Sequence, residues 1–194
     1  MEKRKTNYGD GYFDESVSLT WLKYDKHSSD LDYIMMMNKI DQQVDQWSQD
    51  KKVNEFVTYG RSLPAMLHAI LGELNNMYYA YDEEKDEILG LVFMCNATKE
   101  YPYSVIEYIV TNPKYMNMGI GTRMVSSIKQ NPEFFTGNEH QGKFLAFVKH
   151  DNKSSKKIML KNKFRVLKKP ASIIAGIYSC MYDQLYYDES ENKK

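Results

Sequence analysis

The stretch that most constrains this 194-residue chain runs from Ile106 to Met124. It reads as strand, turn, Gly-x-Gly, amphipathic helix. Ser104 to Val110 is an apolar β-run that Asn112-Pro113 breaks. Gly119-Ile120-Gly121 then opens a helix over Gly119 to Lys129, with Ile120, Met124, Val125 and Ile128 on one side. The first turn of a helix has N–H groups without intrahelical acceptors and the positive end of the macrodipole. Two glycines there remove side chains, so an anion such as a diphosphate can approach the backbone. The same glycines could instead relieve crowding at a strand–helix turn. No Gly-Lys-Ser/Thr follows, so this is not a Walker loop, and a dinucleotide fingerprint would need a third glycine.

Around this segment the pattern alternates strands and helices. Ser16 to Tyr24 alternates, with Val17, Leu19 and Trp21 on one face. Ser28, Ser29 and Asp30 offer N-caps to a helix carrying Leu31, Ile34, Met35 and Asn38, which Val44 and Trp47 extend. Val53 to Tyr59 is ambiguous. Ser62-Leu63-Pro64 starts a second helix with an apolar stripe of Leu63, Met66, Leu67, Ile70, Leu71 and Leu74. His68 lies off that stripe. Met77 to Tyr81 and Ile88 to Asn96 are strands around an acidic turn. Asn131 to Lys143 reads as a polar loop with Phe134 and Phe135, one that could line an acceptor site. Phe144 to Val148 is a buried strand, Ser154 to Asn162 a basic helix, and Arg165 to Lys168 and Tyr178 to Leu185 are late strands. Residues 1–14 are expected to be an irregular lead-in, residues 15–187 one domain, and residues 188–194 a charged tail. The expected class is mixed α/β.

A second block accompanies the first. After Phe144 to Val148 come Asn152, Ser155, Met159, Lys163 and Phe164. Together the two blocks resemble the acetyl-CoA-binding core of the GNAT N-acetyltransferase superfamily. That family's pattern is a strand, then Val-x-Pro-x-Tyr, then Arg/Gln-x-x-Gly-x-Gly/Ala opening a helix. Asn112-Pro113-Lys114-Tyr115 and Met118-Gly119-Ile120-Gly121-Thr122 fit it, with Met116 where Arg or Gln is usual. The closing pattern is Asn, a small residue three later, Tyr seven later, then Gly-Phe. Asn152, Ser155 and Phe164 fit, whereas Met159 replaces the Tyr and Lys163 the Gly.

The resemblance implies a mostly antiparallel sheet, with two parallel strands that splay apart and helices on its flanks. It implies an acetyl-CoA-dependent N-acetyltransferase that moves an acetyl group to a primary amine by direct attack on the thioester. Acetyl-CoA would be the co-substrate, with no metal. Ile109 and Val110 would pair with the pantetheine arm, Asn117, Met118, Gly119, Ile120, Gly121 and Thr122 would hold the pyrophosphate, and Asn152 and Ser155 would lie on the pantetheine side. Glu107 is the implied base, and the Val110 N–H, freed by a bulge, the implied carbonyl donor. Met159 cannot donate a proton to the leaving thiolate, which leaves water or a tyrosine (Tyr115, Tyr178 or Tyr182). The basic run Lys149, His150, Lys153, Lys156, Lys157, Lys161 and Lys163 is either a site for the 3′-phosphate and adenine or a solvated face. The alternative is a CoA-binding regulatory or interaction module of the same fold with little transferase activity.

Composition narrows the partners. Lys plus Arg and Asp plus Glu both total 26, so net charge makes no case for nucleic acid. No apolar run reaches membrane-spanning length, and no apolar run follows the basic N-terminus, so neither a membrane nor secretion is expected. Cys95 and Cys180 form no CxxC pair, which suits the cytoplasm. The 16 Tyr and 12 Met suit partly wet surfaces, a homodimer contact among them.

Overall fold

The computed structural model describes residues 1–58, 61–73, 75–99, 102–137, 142–167 and 181–192. Among the described residues the centre is a nine-stranded sheet in the order β1-β2-β3-β4-β5-β6-β7-β9-β8. The strands are β1 Glu2–Thr6, β2 Gly9–Asp14, β3 Leu19–Lys23, β4 Asn75–Asp82, β5 Glu87–Cys95, β6 Ser104–Thr111, β7 Lys143–Lys149, β8 Arg165–Val166 and β9 Tyr182–Asp188. Every neighbouring pair is antiparallel except β6–β7.

Residues 1–14 are not an irregular lead-in. They form the β1–β2 hairpin at one sheet edge. Polar strands of this kind are hard to read because their alternation carries no apolar signal. The outermost strand, Glu-Lys-Arg-Lys-Thr, is blunted by charge as edges commonly are. The hairpin is tied down by Asp14, whose buried carboxylate accepts from Ser127 Oγ at 2.5 Å and Asn131 Nδ2 at 2.8 Å.

Helices cover both faces. On one side lie α1 Leu31–Asp45, the short α2 Lys51–Val53 running into a π-helical turn at Asn54–Thr58, and α3 Leu63–Ile70. Asp30 caps α1 and Ser62 caps α3. Ile40, Val44, Trp47, Leu63 and Leu67 pack there on Tyr79, Leu91 and Phe93. The α3 stripe is shorter than its spacing suggests: the helix ends at Ile70, and Leu74 lies outside the described residues. On the other face lie α4 Ile120–Gln130, α5 Pro132–Thr136 and α6 Lys153–Lys161. Met124, Val125, Ile128, Phe135 and Met159 join Trp21, Tyr78 and Ile106 there.

Part of the expected 131–143 loop is therefore helix α5. Phe135 is fully buried against Trp21 and Tyr78, and Phe134 packs on Tyr12, so these rings serve the core. Tyr178 and Lys168, expected in the late strands, lie outside the described residues.

Candidate active site

The site forms where β6 and β7 part. They pair only at Ser104–Phe144, Val105–Leu145 and Ile106–Ala146. Beyond Ile106 the ladder pairing ends, and a cleft of about 530 Å³ lies between the end of β6, the start of α4 and helix α6. Parallel strands leave such a crevice at their carboxyl ends.

A bulge marks the point of divergence. Opposite β5, Phe93 pairs with Tyr108 and Met94 with Ile106, so Glu107 is the extra residue. The Asn112 N–H donates to the Leu89 carbonyl at 2.9 Å, which sets the phase of the ladder. Hydrogen-bonded pairs alternate along an antiparallel ladder. Val110 therefore turns its N–H toward Leu91, and Ile109 and Thr111 turn theirs toward the gap. This corrects the expectation of a donor at Val110: the bulge is three residues earlier, and the freed backbone is that of Ile109. Val110 still lines the cleft.

The turn after β6 is held to the sheet. Asn112 Oδ1 accepts from the Lys114 N–H at 3.0 Å, and its Nδ2 donates to the Ile88 carbonyl at 2.8 Å. The Tyr115 ring is buried and lines the cleft, while its hydroxyl donates to Glu87. Asn117 and Gly119 then adopt left-handed conformations, φ 66° and 83°. Gly119 has no atom within 4 Å of where a Cβ would stand, so glycine serves the backbone angle at an open position. Gly121 has a different reason. A Cβ there would lie 2.7 Å from Ile158 Cδ1 and 3.3 Å from Thr111 Oγ1, so this glycine lets α6 pack on α4.

No side chain caps α4 at Gly119, and the first N–H groups of the helix face the cleft end. Met118 does not join them: its N–H donates to the Tyr115 carbonyl, and it is 65% exposed outside the cleft. The other expected contacts, Ile109, Val110, Asn117, Gly119, Ile120, Gly121, Thr122, Asn152 and Ser155, all line this one cleft. Asn152 acts there first as the cap of α6, its Oδ1 accepting from the Ser155 N–H at 3.0 Å. Met116 lines the cleft too and supplies no charge.

The basic run divides by helix geometry. Lys153, Lys157 and Lys161, spaced i, i+4, i+8, all line the cleft. Lys156 points aside to Asp183 at 2.5 Å. Across the cleft stand Lys52, Val53, Phe56 and Val57 from α2 and the π turn. Sequence reading missed this wall. Its only signal was an ambiguous apolar segment, and its neighbours in the cleft are far along the chain.

Glu107 is the bulged residue where the strands part. It is exposed and not among the residues that line the cleft, and burial by its surroundings pushes its carboxyl above the usual carboxylate range. Burial, with the Glu107 charge second, pushes the Cys95 thiol up in turn. Met159 is 2% exposed within the core and does not reach the cleft. Among the described residues no group of three or more His, Cys, Asp or Glu could hold a metal ion, and no helix is long and apolar enough to cross a membrane.

The model of the acetyltransferase (GNAT) family matches residues 42–161. Solved structures share the fold. The GNAT domain of PAT from S. lividans covers 96% of this chain and 96% of its own at TM-score 0.60 and 9% identity. A GNAT-family acetyltransferase from Staphylococcus aureus Mu50 covers 88% and 98% at TM-score 0.59 and 12% identity. The Campylobacter jejuni N-acetyltransferase PseH, solved with acetyl coenzyme A, covers 88% and 99% at TM-score 0.54 and 12% identity. No curated protein matches the chain in sequence.

Proposed function

The chain belongs to the acetyltransferase (GNAT) family, and on that footing we propose that it is an acetyl-CoA-dependent N-acetyltransferase acting on a primary amine. The observation that carries this reading is the cleft at the β6–β7 divergence, with a helix N-terminus at one end and a strand with unpaired backbone along its side. These features fit the cofactor. Ile109 and Thr111 offer amide groups to the pantetheine arm as an added strand would. The N–H groups of Gly119, Ile120, Gly121 and Thr122 suit the pyrophosphate. Lys153, Lys157, Lys161 and Lys52 add the positive charge that Met116 lacks.

When bound, acetyl-CoA supplies an acetyl group activated as a thioester. The protein's part is positional and electrostatic. Glu107 accepts the proton that the acceptor ammonium must lose, since only the neutral amine attacks. Its raised pKa brings it nearer the pH at which such a base works. The Ile109 N–H, turned to the gap, donates to the thioester carbonyl as charge develops there. Met159 is buried and the Tyr115 hydroxyl is bonded to Glu87, which leaves water or Tyr182 among the described residues to return the proton to the leaving thiolate.

The test has two arms. Thermal denaturation with acetyl-CoA, CoA, ATP and NAD reads the cofactor site, because a ligand of the native state raises the midpoint by mass action. Both CoA forms should raise it, and NAD should not. Thiol release with a panel of primary amines then reads transfer. Binding without thiol release across the panel would overturn the transferase reading and leave a CoA-binding module. A failure to bind either CoA form would overturn both.

A further inference from the structure

Helix α1 carries apolar residues on two opposite faces. At about 100° per residue, Met37, Ile40 and Val44 lie toward the sheet, where they are buried. Leu31, Ile34 and Met35 fall within an arc of about 100° on the opposite side. They are 69%, 41% and 56% exposed. The outward face of a helix that covers a sheet should be polar, and an apolar stripe there marks a contact.

The charges beside the stripe indicate what covers it. Asp32 and Lys39 are both exposed, and neither has an oppositely charged partner among the described residues. They stand seven residues apart, which returns the helix to within about 20° of the same direction. Both therefore flank the stripe on the same side. If two copies of α1 lie antiparallel across a twofold axis near Met35, Asp32 of each faces Lys39 of the other, and Ile34 and Met35 of both meet at the centre. A parallel pairing would carry this flank of each helix to opposite sides of the contact and leave Asp32 and Lys39 without each other.

We infer that this stripe is the contact of a homodimer in which the two α1 helices pair antiparallel. No residue of the stripe lines the cleft, so the dimer leaves the site open. The stripe is smaller than the roughly 800 Å² per partner of a standard interface, so the association is weak and concentration-dependent. The inference does not depend on the reaction the cleft performs.

Sedimentation equilibrium of the whole chain, from about 5 to 500 µM, reads it directly. A monomer–dimer equilibrium is expected. Ile34→Glu or Met35→Glu should leave only monomer, with circular dichroism unchanged. Asp32→Lys and Lys39→Asp should each weaken the dimer about tenfold, because each converts two attractive pairs into repulsive ones. The double exchange D32K/K39D should restore it. A mass of 22.8 kDa at every concentration overturns the inference. So does a dimer indifferent to Ile34→Glu and Met35→Glu, or a double exchange no tighter than the single variants.

Discussion

Lys163 offers a calculable perturbation. Helix α6 ends in a Schellman arrangement: the Phe164 N–H donates to the Met159 carbonyl at 3.1 Å, and the Lys163 N–H to the Leu160 carbonyl at 3.0 Å. That geometry puts Lys163 at φ 65°, in the left-handed region where glycine is usual. A residue with a Cβ loses roughly 1–2 kcal/mol there. Glycine avoids that cost but has about 0.5–1 kcal/mol more chain entropy to lose on folding. Lys163→Gly should therefore stabilise the protein by about 0.5–1 kcal/mol. For a chain of this length that raises the melting midpoint by about 1–4 °C. The Lys163 side chain is exposed, so little packing is lost. Its charge does repel Lys129, whose ammonium is pushed down mainly by burial and secondarily by Lys163. Lys163→Ala controls for this, because it removes the charge and keeps the Cβ. Urea and thermal unfolding of the three proteins should rank Gly above Ala. A Gly variant no more stable than the Ala variant would refute the backbone argument.

Glu107→Gln separates catalysis from stability. Partial burial raises the folded pKa of Glu107, so stability is lost as pH climbs from the ordinary carboxylate value through the raised one. The Gln variant should thus melt higher than the parent at neutral pH and equally well below the carboxylate range, while amine-dependent thiol release falls and loses its acidic limb. Gly121→Ala should drive its new methyl into Ile158 Cδ1, and Ile158→Val should relieve it, giving a coupling of roughly 1 kcal/mol in a double-mutant cycle. Asp14→Ala should cost about 2–3 kcal/mol in urea unfolding, because it strips the buried acceptor from Ser127 and Asn131. An unaltered urea midpoint would mean that the β1–β2 hairpin does not depend on that carboxylate.

Local elements are legible in the residues wherever apolar periodicity or a cap is strong. The α4 stripe, the Asp30 and Ser62 caps and the apolar strands β4 to β7 are legible because burial imposes a period of two or 3.6 on the residues. The Gly-x-Gly turn and the Asn152 block were legible for a related reason, since short-range backbone demands select particular residues at particular spacings. The tertiary structure decided what depends on neighbours remote in sequence. The polar β1–β2 hairpin is a strand pair because Asp14 meets α4, more than a hundred residues later. Phe134 and Phe135 are core because α5 folds them against Trp21, Tyr78 and Tyr12. The bulge belongs to Glu107 because the register with β5 is set by both strands together. The two glycines of one motif have different reasons, an angle at Gly119 and a neighbour at Gly121, and only the second requires knowing where Ile158 lies. A residue's own conformational preferences travel with the chain, whereas its contacts exist only once distant segments have met.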